Sequence, residues 1–562
     1  MNLSQADLKP EPPSKSPKLS LESVAALAVT LFSAILLLLT AAYAGPLWRD
    51  EVNTINVAQM PSLQELWNNM QFESFPPLWP LILRALGFLG LIGSDASIRI
   101  LGLFIGWFFL VSLWLCSRWM GRRAPSLSIA LLGSLPAFIF IIGANRAYGL
   151  ASCLLVLSFG MIWRLVESPS RLRFVQTGLV CFLFAHCVYY DVIFLFAMLS
   201  GGALVVIRRR EWKTLAALVV IGAVSAGTMA IYLPIIHRGS AFVPMIQFPY
   251  FSFSFLWNRL GTALAASSSA QNGYNWPEVW FWIALLWGGV LTALLLQRQY
   301  QRQKSSPEAA VVANLRARAD LALFCAVSVV VGVLGYLAFL LRLHYPTQTW
   351  YYVEMLCLCA ISLDGLLGAN WPALRPWGLL RIGLMIGLMT WFARSGWEEA
   401  HTQRSNIDLI AAVFDKKAAE GDLIVVQSAW EGITFNRYYH GRTHWMTVPP
   451  IDSHLVHRND LVLEKMNQPD SINSVLSEIA TTLHGSNSVW LVGNMQRISP
   501  KPSPTSGLPM AWFGTHMNYW SGQVTAQLLG HAQYIQNIEI SVGQPVCQLE
   551  NLPVVRFSGY KD

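Results

Sequence analysis

The chain has 562 residues, of which 54% are hydrophobic and only 12% charged, with a mean hydropathy of +0.43; a soluble globular chain carries about 25% charged residues. So few charges could not solvate a cytosolic enzyme, a secreted disulfide scaffold or a disordered protein of this size, and the composition is that of an integral membrane protein. The formal charge of +8 is expected in cytoplasmic loops, where polytopic proteins collect Lys and Arg, and is not read as a nucleic-acid surface.

In chain order, Met1 to Ser20 carries four prolines and three lysines and reads as a disordered basic tail. Val24 to Ala44 follows without a charge, too long for a signal-peptide core and long enough to cross the hydrocarbon layer. Pro76 to Ile92 contains Pro76, Pro77, Pro80 and Arg84, which predicts an interfacial or re-entrant helix rather than a crossing. Further spans are expected at Ser97–Ser117, Ser126–Ile142, Gly149–Trp163, Phe174–Tyr190, Val192–Ile207, Thr214–Ile236, Val279–Leu296, Leu321–Leu341, Tyr351–Leu367 and Trp377–Ala393. With the first helix these make eleven. Clusters such as Arg118/Arg122/Arg123 and Arg208/Arg209/Arg210/Lys213 recur in every second loop, which places the N-terminal tail in the cytoplasm and everything after Arg394 outside.

The expected organisation is therefore a basic cytoplasmic tail (1–20), a polytopic α-helical membrane domain (21–394) with its first external loop at 45–96, and an extracytoplasmic domain (395–562). In that last region helix-like stretches at Ile407–Ala419 and Ile472–Leu483 alternate with apolar runs at Leu423–Val426 and Val489–Val492, the pattern of a small α/β fold. Seven of the eight cysteines lie in apolar runs and only Cys547 falls in the polar C-terminal part, so no disulfide framework is expected.

Candidate chemistry gathers on the external side. Arg49-Asp50-Glu51 follows the first helix, and Asp50 or Glu51 could act as a general base toward a hydroxyl; the plain alternative is an interfacial charge pair with solvated acids. Arg146 and Tyr148 lie between two apolar helices, where a guanidinium could pair a phosphate and a phenol donate to it, or the arginine could merely snorkel. Asp191, at the apex after Tyr189-Tyr190, is an isolated external acid that is either functional or simply wet. The aromatic loop Phe242 to Pro277 fits an interfacial belt or a platform for a sugar or isoprenoid chain. Arg342, His344 and Tyr345 gather phosphate donors with phenols at one helix boundary. There is no Walker A motif, Rossmann fingerprint, zinc-protease helix or nucleophile elbow; no cofactor or metal is expected, and the energy for a reaction must arrive in the substrate.

The order of these parts resembles the GT-C membrane glycosyltransferases: Arg49-Asp50-Glu51 after one helix, then Pro76-Pro77-Leu78, Arg99 opening a span, and Arg146-x-Tyr148 in the next external loop. It is similar to the branch with protein O-mannosyltransferases and the lipid A aminoarabinose transferase, over roughly Val24 to Ala393. The resemblance implies transfer of a sugar from a polyprenyl-phosphate carrier to a glycan, lipid or protein acceptor at the external face, with inversion. It also implies Asp50 as the base; the leaving phosphate then needs cations, for which Arg146, Arg342 and His344 are the candidates in this chain, with Tyr148 and Tyr345 as helpers. Phe75 and Trp79 stand where the family often has His and Tyr, and Asn145-Arg146 where some relatives carry an acid; the branch, sugar and acceptor stay open. A bacterial inner-membrane enzyme in contact with membrane lipids is the expectation. The alternatives are a flippase or transporter for a lipid-linked saccharide, which repeated halves would favour, and a structural subunit.

Overall fold

The computed structural model describes residues 20–122, 124–247, 251–265, 277–303, 309–369, 375–495 and 513–561. The basic tail up to Leu19, Arg123, and Tyr250, Tyr274 and Trp276 of the aromatic loop lie outside them. The first helix, α1 (Leu21–Tyr43), starts where the Ser20 hydroxyl accepts the Ser23 amide at 3.2 Å. Its 23 residues span about 35 Å, enough for a hydrocarbon core of about 30 Å.

Among the described residues eight helices are long and apolar enough to cross a membrane: Leu21–Tyr43, Asp95–Trp119, Ala147–Glu167, Asp191–Arg209, Trp212–Ser240, Pro277–Gln303, Val311–Leu343 and Thr349–Leu367. The other three expected spans take different forms. Ser126–Ile142 is broken into two seven-residue helices, Ser126–Leu132 and Pro136–Ile142. Pro136 cannot donate to a continuing helix, and the break is tolerated because every residue of both pieces is buried in protein. The Asp364 carboxylate caps the first piece by accepting from the Leu127 and Ser128 amides at 2.7 and 3.1 Å. Phe174–Tyr190 overlaps the fifteen-residue helix Arg171–Ala185, which stops five residues short of Tyr190, and Trp377–Ala393 lies within Arg375–Ala400. The proline-bearing helix Leu78–Phe88 has 11 residues, too short to cross.

After Ala400 the chain builds a five-stranded sheet in the order β2-β1-β3-β5-β4, from β1 (Leu423–Gln427), β2 (His444–Val448), β3 (Val489–Val492), β4 (Ala532–Ile538) and β5 (Val554–Tyr560). β1 pairs in parallel with β2 and β3, and β5 runs antiparallel to β3 and β4. Every residue of β1 and β3 is buried. Ile407, Ile410 and Phe414 cover one face of the sheet, while Ile479, Leu483, Val524 and Leu528 cover the other. This is the small α/β domain that the alternating pattern implies, with β2, β4 and β5 added.

The sheet domain is fastened to the loop that follows α1. Arg404 donates from its amide to Ala44 O at 2.7 Å and from Nη2 to Phe140 O at 2.8 Å. The Tyr438 hydroxyl accepts the Leu47 amide at 2.7 Å, and Arg437 pairs with Asp95 at 2.6 Å. Gly45 makes this close approach possible: its φ is +64°, and a Cβ there would lie 2.5 Å from the Gln403 side chain.

Candidate active site

Helix α2 (Arg49–Ala58) opens directly under the sheet domain. Its first turn carries both acids, where carboxylates complement the positive end of the helix. Neighbouring side chains leave a helix about 100° apart, so Asp50 and Glu51 enter different surroundings.

Glu51 points inward and is fully buried. Arg99 Nη1 donates to both of its oxygens at 2.7 and 2.9 Å, and the amides of Asn145 and Trp48 donate at 2.9 and 3.3 Å. This carboxylate ties three segments together and has no free side for a substrate. Arg99, which opens a span in the sequence, is its counter-ion.

Asp50 points toward the sheet domain and keeps 21% of its side chain exposed. Its Oδ1 lies 3.3 Å from His457 Nε2 and 3.7 Å from Arg49 Nε, and its Oδ2 lies 3.9 Å from Arg146 Nη2. Burial by itself would raise this carboxyl, but Arg146, then His457 and Arg49, hold it well below the usual carboxylate range. Asp50 is therefore ionised.

Arg146, at the start of Ala147–Glu167, is buried. Its Nη1 donates to Asp50 O at 2.9 Å, Thr54 Oγ1 at 2.7 Å and Glu73 Oε2 at 3.2 Å, and its Nη2 donates to Ser74 Oγ at 3.1 Å. The guanidinium also stands 4.6 Å over the Phe75 ring. Burial opposes its charge, while Glu73 and Asp50 raise its pKa above the ordinary arginine value. Its Nε is buried without a hydrogen-bond partner among the described residues.

The remaining expected residues divide. Tyr148 packs edge-on against Tyr351 at 6.1 Å, and Tyr345 packs edge-on against the same ring at 5.9 Å. Burial raises the Tyr345 phenol, and Tyr351 beside it and the more distant charges of Asp50, Arg146 and Arg49 act on it less strongly. Arg342 and His344 are exposed, and His344, at φ +54°, meets Phe251 edge-on at 5.6 Å; no contact joins either to Asp50 among the described residues. Asp191 is a separate matter. It is fully buried instead of lying at a wet apex, with Oδ2 accepting the Val188 amide at 2.9 Å.

Four residues of the cluster were not expected. Glu73 accepts from Asn53 Nδ2 at 2.7 Å and Thr54 Oγ1 at 2.8 Å as well as from Arg146. Glu431 and Glu550 reach in from the sheet domain, the first to Arg49 Nη1 at 2.7 Å and the second to the Arg49 amide at 2.8 Å. His457, also from the sheet domain, meets Asp50. No three His, Cys, Asp or Glu side chains gather as a metal site among the described residues.

No family model matches the sequence, and no curated protein matches it. Among solved structures the chain is similar to ArnT from Cupriavidus metallidurans bound to undecaprenyl phosphate, at 14% identity and a TM-score of 0.46, with 95% of this chain and 98% of that one covered. The apo form of that protein gives 13%, a TM-score of 0.36 and the same coverage. The oligosaccharyltransferase of Archaeoglobus fulgidus, tethered to an acceptor peptide with an NVT sequon, gives 8% and a TM-score of 0.44, with 93% of this chain and 74% of that one covered.

Proposed function

We propose that the protein is a glycosyltransferase that moves a sugar from a polyprenyl-phosphate donor to an acceptor hydroxyl, with inversion, at the external face of a bacterial inner membrane. The observation that carries this reading is Asp50: an ionised, partly exposed carboxylate ringed by Arg49, Arg146 and His457 at the junction of the helical bundle and the sheet domain. The donor class comes from the motif order that the chain shares with GT-C enzymes.

In this reading Asp50 takes the proton of the acceptor hydroxyl as that oxygen attacks the anomeric carbon. The bond from that carbon to the phosphate oxygen breaks on the opposite face, and the lipid phosphate leaves with the electron pair. Arg146, through its unpartnered Nε, and Arg49 stand beside Asp50 to take up the phosphate charge, and Tyr345 can donate to it. Arg342, His344 and Tyr148 are proposed to extend the phosphate site, with membrane lipid around it. Glu51 holds the loop in place. The same cations that keep Asp50 ionised make it a weak base, and an arriving phosphate corrects this: its negative charge offsets their field and moves the carboxyl toward ordinary basicity.

The test is release of free polyprenyl phosphate from a panel of polyprenyl-phosphate sugars, with membrane extract as acceptor. The wild type should release it, and a folded Asp50→Asn variant should be slower by about a hundredfold or more, the usual range for loss of a general base. Equal release by the two proteins removes Asp50 from the chemistry. No release from any donor, with lipid-linked sugar crossing between leaflets instead, replaces the enzyme by a transporter.

A further inference from the structure

Positions 50, 53 and 56 of α2 follow at i, i+3 and i+6 and so share one helix face. All three bind one stretch of the sheet domain. Asn56 Nδ2 donates to Leu455 O at 2.7 Å, the His457 amide donates to Asn53 Oδ1 at 2.8 Å, and His457 Nε2 meets Asp50 Oδ1 at 3.3 Å. Asn53 is fixed from its other end, since its Nδ2 donates to the buried Glu73 at 2.7 Å, and this settles which amide atom faces His457. Two backbone-anchored bonds thus lay residues 455–457 along the helix, and the third contact falls on the one acid of the first turn that is partly exposed.

We propose that His457 is a positioning residue for Asp50, so that the active site is completed by the sheet domain and not by the membrane bundle alone. The proposal rests on the transfer reading above. A carboxylate on a short stem turns freely, because its terminal torsion is broad and twofold. In this role His457 Nε2–H, which stands 3.3 Å from Oδ1, donates to it when the acceptor binds and fixes the carboxylate plane, which leaves Oδ2 as the oxygen for the acceptor hydroxyl. Arg49 and Arg146 cannot do this alone, since at 3.7 and 3.9 Å they act on Asp50 by charge and not as hydrogen-bond donors. Misplacement of a reacting group by about 1 Å can cost about a hundredfold in rate, which sets the scale of the effect.

The experiment compares wild type, His457→Ala, His457→Leu and His457→Gln as full-length protein in detergent, with kcat and donor KM measured by release of polyprenyl phosphate and folding judged by heat resistance. His457→Ala should lower kcat by about ten- to a hundredfold with donor KM unchanged. His457→Gln, whose amide nitrogen can donate from nearly the same place, should recover most of the loss, and His457→Leu should not. An active wild type matched by His457→Ala overturns the positioning role and leaves the transfer reading standing. A glutamine variant no better than leucine also overturns it, because the hydrogen bond then does nothing. A wild type inactive with every donor overturns the transfer reading and this role with it. If the alanine variant does not fold, the glutamine and leucine pair gives the same decision.

Discussion

Removal of Arg99 should strand the Glu51 charge. The carboxylate is fully buried, and its bonds at 2.7 and 2.9 Å to Arg99 Nη1 are its contacts with a formal positive charge. Breaking a buried pair from one side costs about 3–5 kcal/mol, while replacing both partners by neutral groups is often close to neutral. Arg99→Leu should therefore destabilise by about 3–5 kcal/mol. Part of that cost comes from Pro46 O, which loses the 2.7 Å bond from Arg99 Nη2, a neutral acceptor left bare at about 1–3 kcal/mol. Glu51→Gln keeps one acceptor oxygen for the Asn145 amide, so the double variant Glu51→Gln/Arg99→Leu should be more stable than Arg99→Leu alone by about 2 kcal/mol. The assay is the temperature at which half of the purified protein loses its monodisperse peak, read for all four proteins of the cycle. At about 2–4 °C per kcal/mol in domains of about 150–250 residues, and less in a longer chain, the single variant should fall by several degrees. Costs that simply add would refute the pairing. Wild-type stability in the double variant together with complete loss of transfer would refute the structural role given to Glu51.

Two further outcomes follow from the charges around Arg49 and Arg146. Burial pushes Glu550 up to about 7 from an ordinary value of 4.5, against the pull of Arg49. The folded protein then binds more protons than the unfolded chain between those values, so this group's contribution is full below about 4.5 and is lost as pH rises to about 7, a change of about 3 kcal/mol. Glu550→Gln should flatten the fall in heat resistance over that window, and parallel slopes for the two proteins would count against it. Arg146→Lys keeps the charge but loses the fork that reaches Thr54, Glu73 and Ser74 together. It should cost about 1–3 kcal/mol and lower transfer, as measured by heat resistance and donor turnover; a fully active, fully stable lysine variant would show that only the charge matters.

The parts legible in the sequence are those set by local pattern. An uncharged run gives α1, continuous apolar runs give β1 and β3, and charges isolated among apolar residues give Asp50, Glu51 and Arg146. Hydrophobicity counted along a window passes over the break between Ser126–Leu132 and Pro136–Ile142, because both pieces are as apolar as an unbroken span. The apolar residues of β4, Ala532, Tyr534, Ile535 and Ile538, do not follow a period of two, and six of its seven residues are not buried, so no alternation announces it. The division of labour between Asp50 and Glu51 needs Arg99, Arg146 and His457, which come from three distant segments. The polar stripe Asp50, Asn53, Asn56 at helical spacing is the one local sign that something docks on this face. At Asp191 the missing fact is burial: packing from segments far along the chain encloses an acid that the sequence places at an apex.

The bond between His457 and Asn53 joins residues 404 apart, and this bears on how the protein is made. Asp50 leaves the ribosome before any of the helices that follow α2, while His457 emerges only after the helical bundle that ends with Arg375–Ala400. A nascent chain can therefore insert its bundle and fold α2 against Arg99 with its carboxylate still unclamped. Closing so long a loop adds only about 5 kcal/mol of entropy, since the cost grows with the logarithm of length, and the many bonds between the sheet domain and the loop after α1 oppose it. On the proposed reading, competence for transfer is gained late, in the step that docks the sheet domain, and an unfinished chain in the membrane would not draw on a pool of lipid-linked sugar at its full rate.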